Sequence, residues 1–403
     1  MNRSSKLTIL SSLFLLWSCS SSRTLFKEGQ LHQTQSRESL QFDQVLSTTQ
    51  SNNLIFVSVE IADKEYRFLF DTGAPMVISK ELQEEFQFKI RTQKQVYDSQ
   101  NQSQVQNYVT VDSLIIGELL FTDLTAIEAD LRYSPILACL NIDGIIGANL
   151  MRYAFWEMDA ATGYLRMSSS TKHWPLDTSN LISKTFKVKN TYTPVMDLRL
   201  GNTLYRNITF DTGSNDLLSL GKTGNANYHA DSVLFKAYGI LSAGLFGSVV
   251  DTVEYQFLDF YLDSLPYRCP IEFESAKDAR LLGMSFFSQF RIYMDWTAGK
   301  MHFLPHDSLN FSNSKSYPTS PFLKDNAIII SQLNDFTLRD QLNLALGDTI
   351  ESINGKSIYP ATAETYCEVI ELFKREEQLT LQIRRKGEML IRKEDLFTTM
   401  NLR

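Results

Sequence analysis

Apolar and polar residues alternate over several short stretches of this chain, separated by tight polar clusters. Leu54 to Ile61, Val105 to Ile116, Val195 to Leu200 and Val253 to Phe260 are rich in β-branched and aromatic residues at a period near two, and Thr185 to Val188 is a shorter stretch of the same kind. That period predicts strands with one buried face. Asp98-Ser99-Gln100-Asn101-Gln102 reads as the polar tip of a hairpin. Its later equivalent, Gly239 to Gly247, reads either as a second mobile tip or as a tight loop between strands. Near the C-terminus the pattern changes. Ala327 to Ile330 reads as a strand, Ala363 to Arg375 as a helix, and Leu379 to Ile383 and Met389 to Lys393 as two further strands.

The middle of the chain is a repeat. Residues 66–79 read Tyr-Arg-Phe-Leu-Phe-Asp-Thr-Gly-Ala-Pro-Met-Val-Ile-Ser, and residues 205–220 read Tyr-Arg-Asn-Ile-Thr-Phe-Asp-Thr-Gly-Ser-Asn-Asp-Leu-Leu-Ser-Leu. Each copy closes alike. The first ends in Ile145-Ile146-Gly147 and then Phe155-Trp156-Glu157-Met158-Asp159; the second ends in Leu281-Leu282-Gly283 and then Arg291-Ile292-Tyr293-Met294-Asp295. Asp71 to Gly147 spans 76 residues and Asp211 to Gly283 spans 72, while Gly147 to Asp159 and Gly283 to Asp295 are both 12. Two long patterns in register imply a duplicated unit, and so two all-β lobes.

Composition narrows the function classes. With 43% hydrophobic residues the chain can build substantial cores, and its 403 residues fit two or three domains at roughly 150 residues each. A net charge of −7 with no basic face argues against a nucleic-acid partner. Five scattered histidines, and cysteines without metal-ligand spacing, give no metal site, and no cofactor is implied. Beyond Cys19, the thiols Cys139, Cys269 and Cys367 are three, so they cannot all pair within the chain.

The first residues read as a targeting segment. Arg3 and Lys6 precede the apolar run Leu7 to Trp17, which is too short to span a bilayer comfortably. It ends in Leu16-Trp17-Ser18-Cys19, which resembles a bacterial lipoprotein signal and implies lipidation at Cys19 and anchoring in the cell envelope. An ordinary secretory signal is the alternative. Residues 1–19 are then the leader and 20–44 a tether with the first strand region.

The chemistry lies in the repeated Asp-Thr-Gly. A carboxylate at a tight turn after an apolar strand is held rigidly; glycine permits close backbone approach, and the threonine hydroxyl can brace the loop. If the lobes meet about a pseudo-twofold axis, Asp71 and Asp211 come together and share one proton, the arrangement needed to activate water against an amide. These motifs resemble the aspartic peptidases of the pepsin and retropepsin type, nearest to the bacterial retropepsin-like group fused in tandem. The resemblance implies a bilobal fold with lobes at 45–178 and 179–306. It also implies Asp71 and Asp211 as catalytic, Thr72, Gly73, Thr212 and Gly213 as their support, and the triplets Ile145-Ile146-Gly147 and Leu281-Leu282-Gly283 crossing behind the catalytic loops. The hairpin Asp98 to Gln106 is the expected flap, with Tyr97 or Tyr108 either an aromatic contact of the flap or a strand-face residue. Asn215-Asp216 puts a second carboxylate beside the second loop, or a solvated turn residue.

After a polar stretch at 307–320 that reads as a linker, residues 321–403 contain Gly347-Asp348-Thr349-Ile350 and Ile353-Asn354-Gly355, and Asn-Gly favours a tight hairpin turn. The pattern resembles the PDZ domains of bacterial envelope proteases, which add an extended peptide to a sheet edge. Tyr317 to Asn326 holds no glycine for a carboxylate-binding loop. Peptide capture, an interlobe brace and a dimer contact therefore all stay open. The whole chain is expected to be mainly β: two pseudo-symmetric lobes with a small α+β PDZ-like domain, acting as an envelope endopeptidase on extended polypeptide. A non-catalytic peptide-binding lipoprotein scaffold is the alternative.

Overall fold

Strands dominate, and the order in which they pair explains the repeat. The computed structural model describes residues 41–51, 53–174, 180–262, 266–275, 279–307, 315–334, 342–395 and 397–398, with positions 17–18, 26, 30–33, 309 and 311. Cys19 and nearly all of the leader and tether lie outside the described residues.

In the first lobe Lys64–Asp71 runs parallel to Gly144–Gly147, with Asp71 opposite Gly147, and the same short strand is antiparallel to Val77–Ser79. The Ile-Ile-Gly triplet thus passes between the two strands that flank Asp71-Thr72-Gly73. A strand enclosed on both faces should be apolar throughout, and Gly144–Gly147 is buried along its whole length. The second lobe repeats the crossing. Arg280–Leu282 is parallel to Thr203–Phe210 and antiparallel to Leu218–Gly221.

The closing segments of the two copies join the lobes. Phe155–Asp159 pairs antiparallel with Phe290–Asp295, placing Trp156 opposite Met294, Glu157 opposite Tyr293 and Met158 opposite Ile292. Glu157 and Tyr293 each lie two residues before the closing aspartate of their copy, so a pseudo-twofold axis passes through that pair. Ile182–Thr185, Lys300–Pro305, Tyr164–Ser168 and Asp43–Val45 complete a six-stranded sheet shared by both lobes. Buried apolar side chains form one contiguous cluster through both lobes and on into the C-terminal unit.

Several sequence expectations shift. Thr185 to Val188 is not one strand: Ile182–Thr185 belongs to the shared sheet and Lys187–Val188 pairs with Pro194–Leu200. Most of Gly239 to Gly247 is strand rather than loop, since Phe235–Gly244 pairs with Gly247–Tyr261 and leaves Leu245 and Phe246 as the turn. The glycine at 239 serves a close approach: with φ +128°, its added Cβ would lie 2.1 Å from Ser331 O. The linker also ends early. Tyr317 is fully buried, rests on Phe373 with ring centroids 5.2 Å apart and donates its hydroxyl to Glu376 O at 2.9 Å.

The C-terminal unit has the expected helix and strands. Thr362 caps Ala363–Arg375 by accepting the Thr365 N–H, and Tyr366, Val369, Ile370 and Phe373 form the buried stripe of an amphipathic helix. Asn354 and Gly355 both take positive φ, as a two-residue hairpin turn between Thr349–Ile353 and Lys356–Ser357 requires. Two connections tie this unit to the lobes. Ala327–Asn334 pairs antiparallel with Phe235–Gly244 of the second lobe, and Cys367 forms a disulfide with Cys139 of the first lobe across a sequence separation of 228. Cys269 is left as a buried free thiol.

Within the unit, the buried Glu394 accepts from the Thr319 hydroxyl at 2.8 and 2.7 Å through its two oxygens. Burial pushes its pKa up to about 7 despite those bonds. A raised carboxyl favours the folded state in acid, so its contribution is complete below the unfolded value of about 4.3 and disappears as pH rises through about 7. Thermal unfolding measured from pH 4 to pH 8 should therefore show the wild type losing more stability than Glu394→Gln; equal slopes would contradict the assignment.

Candidate active site

Each Asp-Thr-Gly loop is fixed first by its own backbone and then by the other lobe. Asp71 Oδ1 accepts the Gly73 N–H at 2.7 Å, and Asp211 Oδ1 accepts the Gly213 N–H at 2.8 Å. The threonines then cross over. Thr72 Oγ1 donates to Phe210 O at 2.8 Å while accepting the Thr212 N–H at 3.0 Å; Thr212 Oγ1 donates to Phe70 O at 2.9 Å while accepting the Thr72 N–H at 3.0 Å. A hydroxyl is one donor and an acceptor, and both capacities are used twice here.

The glycines are required by contact. A Cβ on Gly73 would lie 2.5 Å from Asp211 Oδ2, and one on Gly213 would lie 2.4 Å from Asp71 Oδ2. Each glycine therefore lets the opposite carboxylate sit against the loop backbone, and the two carboxyl groups come within hydrogen-bonding contact of each other. Both aspartates are fully buried, and their outer oxygens meet no protein donor, so the proton on the partner carboxyl is what each can share. Burial pushes Asp71 above the usual carboxylate range, against hydrogen bonds from Asp211 and the loop backbone. Asp211 is driven well above the usual carboxylate range by burial, by the charge of Asp71 and by its hydrogen bond to it. Two such groups titrate as a pair, and after the first proton leaves they hold one between them.

The triplets lie directly behind the loops. A Cβ on Gly147 would meet the Pro75 backbone carbon at 2.0 Å, and one on Gly283 would meet Asp216 O at 2.5 Å. Beyond each triplet lies a brace that the motifs did not single out. Asn149 accepts the Met76 N–H at 2.6 Å and donates to Thr125 O at 3.0 Å; Ser285, at the same offset from its glycine, donates to Asn215 O. Each is a polar residue two positions after the triplet, and that shared offset is the signal that could have found them. Asn215 and Asp216 are buried rather than solvated, and Asp216 adds to the rise of Asp211. Lys189, also missed, donates to Thr209 Oγ1 at 2.8 Å; burial pushes it down to about 8 while Asp211 opposes that shift.

Two hairpins meet at their tips. The tip Asp98–Gln102 connects Lys89–Tyr97 to Ser103–Ile116, and its Asp98 is buried. Asp98 Oδ1 accepts the N–H groups of Gln100 and Gln102, each at 2.9 Å, while Oδ2 accepts the Phe246 N–H at the tip of the second hairpin at 2.8 Å. Of the two tyrosines considered, Tyr108 is a core strand residue packed on Phe26, whereas Tyr97 is exposed where its strand ends. Among the described residues no group of three or more His, Cys, Asp or Glu side chains is placed to hold a metal.

Residues 57–150 match the family model described as aspartyl protease. That span covers the first Asp-Thr-Gly and its triplet. A solved structure of a retropepsin-like aspartic protease from Rickettsia conorii is similar at 14% identity, over 35% of this chain and 93% of that one, with a TM-score of 0.23. No curated protein matches the chain.

The crossed threonines carry a stability expectation. Thr72→Ala or Thr212→Ala leaves a buried carbonyl and a buried N–H unpaired, which costs about 1–3 kcal/mol for each group. The midpoint of denaturant unfolding should fall clearly in both variants and far less in the serine variants, which keep the hydroxyl. An alanine variant as stable as wild type would show that the crossing does not hold the lobes.

Proposed function

We propose that this chain is an aspartic endopeptidase in which Asp71 and Asp211 activate water. The observation that carries the reading is the pair itself: two buried carboxyls in contact on the pseudo-twofold axis, with the pKa of both raised. The aspartyl protease match over 57–150 supports it. The ionised carboxylate takes a proton from water as the water oxygen bonds to the amide carbon. The protonated carboxyl passes its proton to the carbonyl oxygen, giving a neutral diol. Collapse of the diol breaks the C–N bond, moves a proton to nitrogen and releases an acid and an amine. An extended polypeptide laid between the lobes beneath the hairpins is the fitting substrate.

The setting belongs to the same proposal. Cys19 would carry the lipid anchor that holds the enzyme in the bacterial envelope, as the Leu-Trp-Ser-Cys motif suggests. The C-terminal unit is read as PDZ-like from Gly347-Asp348 and Asn354-Gly355, with its fusion to the second lobe favouring the brace over free peptide capture.

Asp71→Asn and Asp211→Asn should each lower cleavage of a denatured protein at least a thousandfold. Cleavage surviving either change would remove the pair from the mechanism, and a wild type inert over a broad pH range would favour the scaffold reading. The pH profile is a second test. The productive state holds one proton, and burial raises both groups, so kcat/KM should rise with pH through a step above the ordinary carboxylate value of about 4. A profile already falling between pH 5 and pH 7 would contradict the raised pKa of Asp211.

A further inference from the structure

The second hairpin is held shut from two sides. Its outer strand, Phe235–Gly244, pairs among the described residues with Gly247–Tyr261 and with Ala327–Asn334 of the C-terminal unit. Ala237, Leu241 and Val253 of this arm pack among themselves, apart from the main core. The tip behaves differently: Ala243, Leu245 and Phe246 join the main cluster, and the Phe246 N–H is bonded to Asp98. The arm thus rests on two separate supports, the C-terminal strand along its edge and the docked tip.

The C-terminal unit along its outer edge is in turn fastened to the first lobe. Cys139 closes the short helix Pro135–Ala138, which packs on Ala363–Arg375, and its disulfide partner Cys367 lies in that helix. The segment around Cys139 also reaches the tip, since a Cβ on Gly247 would sit 3.9 Å from Tyr133. The first lobe therefore grips the second hairpin twice: at the tip through Asp98, and along its edge through the disulfide and the C-terminal strand.

We infer that the C-terminal unit is a redox-controlled latch on the second hairpin, which the peptidase reading sets over the Asp71–Asp211 pair, closed by the Cys139–Cys367 disulfide and loosened when that bond is reduced. Reduction by a dithiol breaks the S–S bond, delivers two electrons and two protons to form two thiols, and leaves the reductant as its own disulfide. Without the bond the C-terminal unit is left to non-covalent packing against the first lobe, and the tip is kept by its Asp98 bond and its apolar packing. The link to activity rests on the peptidase reading; the motion itself does not.

The test is amide hydrogen exchange on the full chain, comparing Phe246 in the hairpin tip with Ile146 in the first-lobe core. Dithiothreitol should speed exchange at Phe246 at least tenfold and leave Ile146 unchanged, and Cys367→Ser should do the same without reductant. Gly239→Ala, which drives a Cβ into Ser331 O, opens the seam with the disulfide intact and should give the same selective rise. Phe246 exchange unaltered by reduction overturns the latch. So does a rise matched at Ile146, which would mean global unfolding. A selective rise without any peptide cleavage keeps the latch and removes the peptidase reading; cleavage with redox-insensitive exchange does the reverse.

Discussion

Two carboxyl groups pressed together away from water are an unfavourable arrangement, and most of this structure can be understood as the means of keeping them there. Burying an ionised carboxylate costs several kcal/mol even after relaxation, and a second charge beside it costs more. The pair reduces that cost by holding one proton between two groups. The remaining charge faces backbone N–H groups of its own loop and the loop opposite. The crossed threonines supply what neither lobe has alone, because each hydroxyl answers a carbonyl and an N–H of the other lobe. At about 1 kcal/mol net for each bond, four such bonds do not offset the burial. The six-stranded sheet shared by both lobes has to provide the rest.

The two copies share a backbone plan and differ in side chains where function diverges. Met76 and Asp216 stand at equivalent positions five residues after the aspartates, one apolar and one acidic, and both are buried. Only the second copy therefore adds a negative charge near the pair, and it raises Asp211 rather than Asp71. The braces differ as well: an asparagine amide makes two bonds in the first lobe, and a serine hydroxyl makes one in the second. A pair that is symmetric in position is thus asymmetric in acidity, as water activation by one ionised and one protonated group requires.

The C-terminal unit changes how the second hairpin is understood. An outer hairpin strand with open backbone groups is exposed to unwanted pairing. Here that edge is occupied by Ala327–Asn334, which turns a surface hairpin into the middle of a larger sheet. The brace that the C-terminal sequence left open, beside peptide capture and a dimer contact, now has a concrete form: a strand seam to one lobe and a disulfide to the other.

The sequence by itself determined the duplicated β lobes, the two Asp-Thr-Gly loops, the triplets behind them, the C-terminal helix and the Asn354-Gly355 turn. Each of these is written in a local period, a turn dipeptide or a copy in register, and such signals do not depend on knowing what lies nearby. Tertiary structure alone decided which cysteines pair, that Asp98 closes on Phe246, that Gly239 admits a strand from another unit, that Tyr317 ends the linker, and that Lys189 lies behind Asp211. Those facts join segments up to 228 residues apart, through single contacts that leave no period in the chain. Burial was the deciding quantity that the sequence could not supply. The motifs say that two aspartates face each other, but their acidity is set by how completely the folded chain keeps them from water.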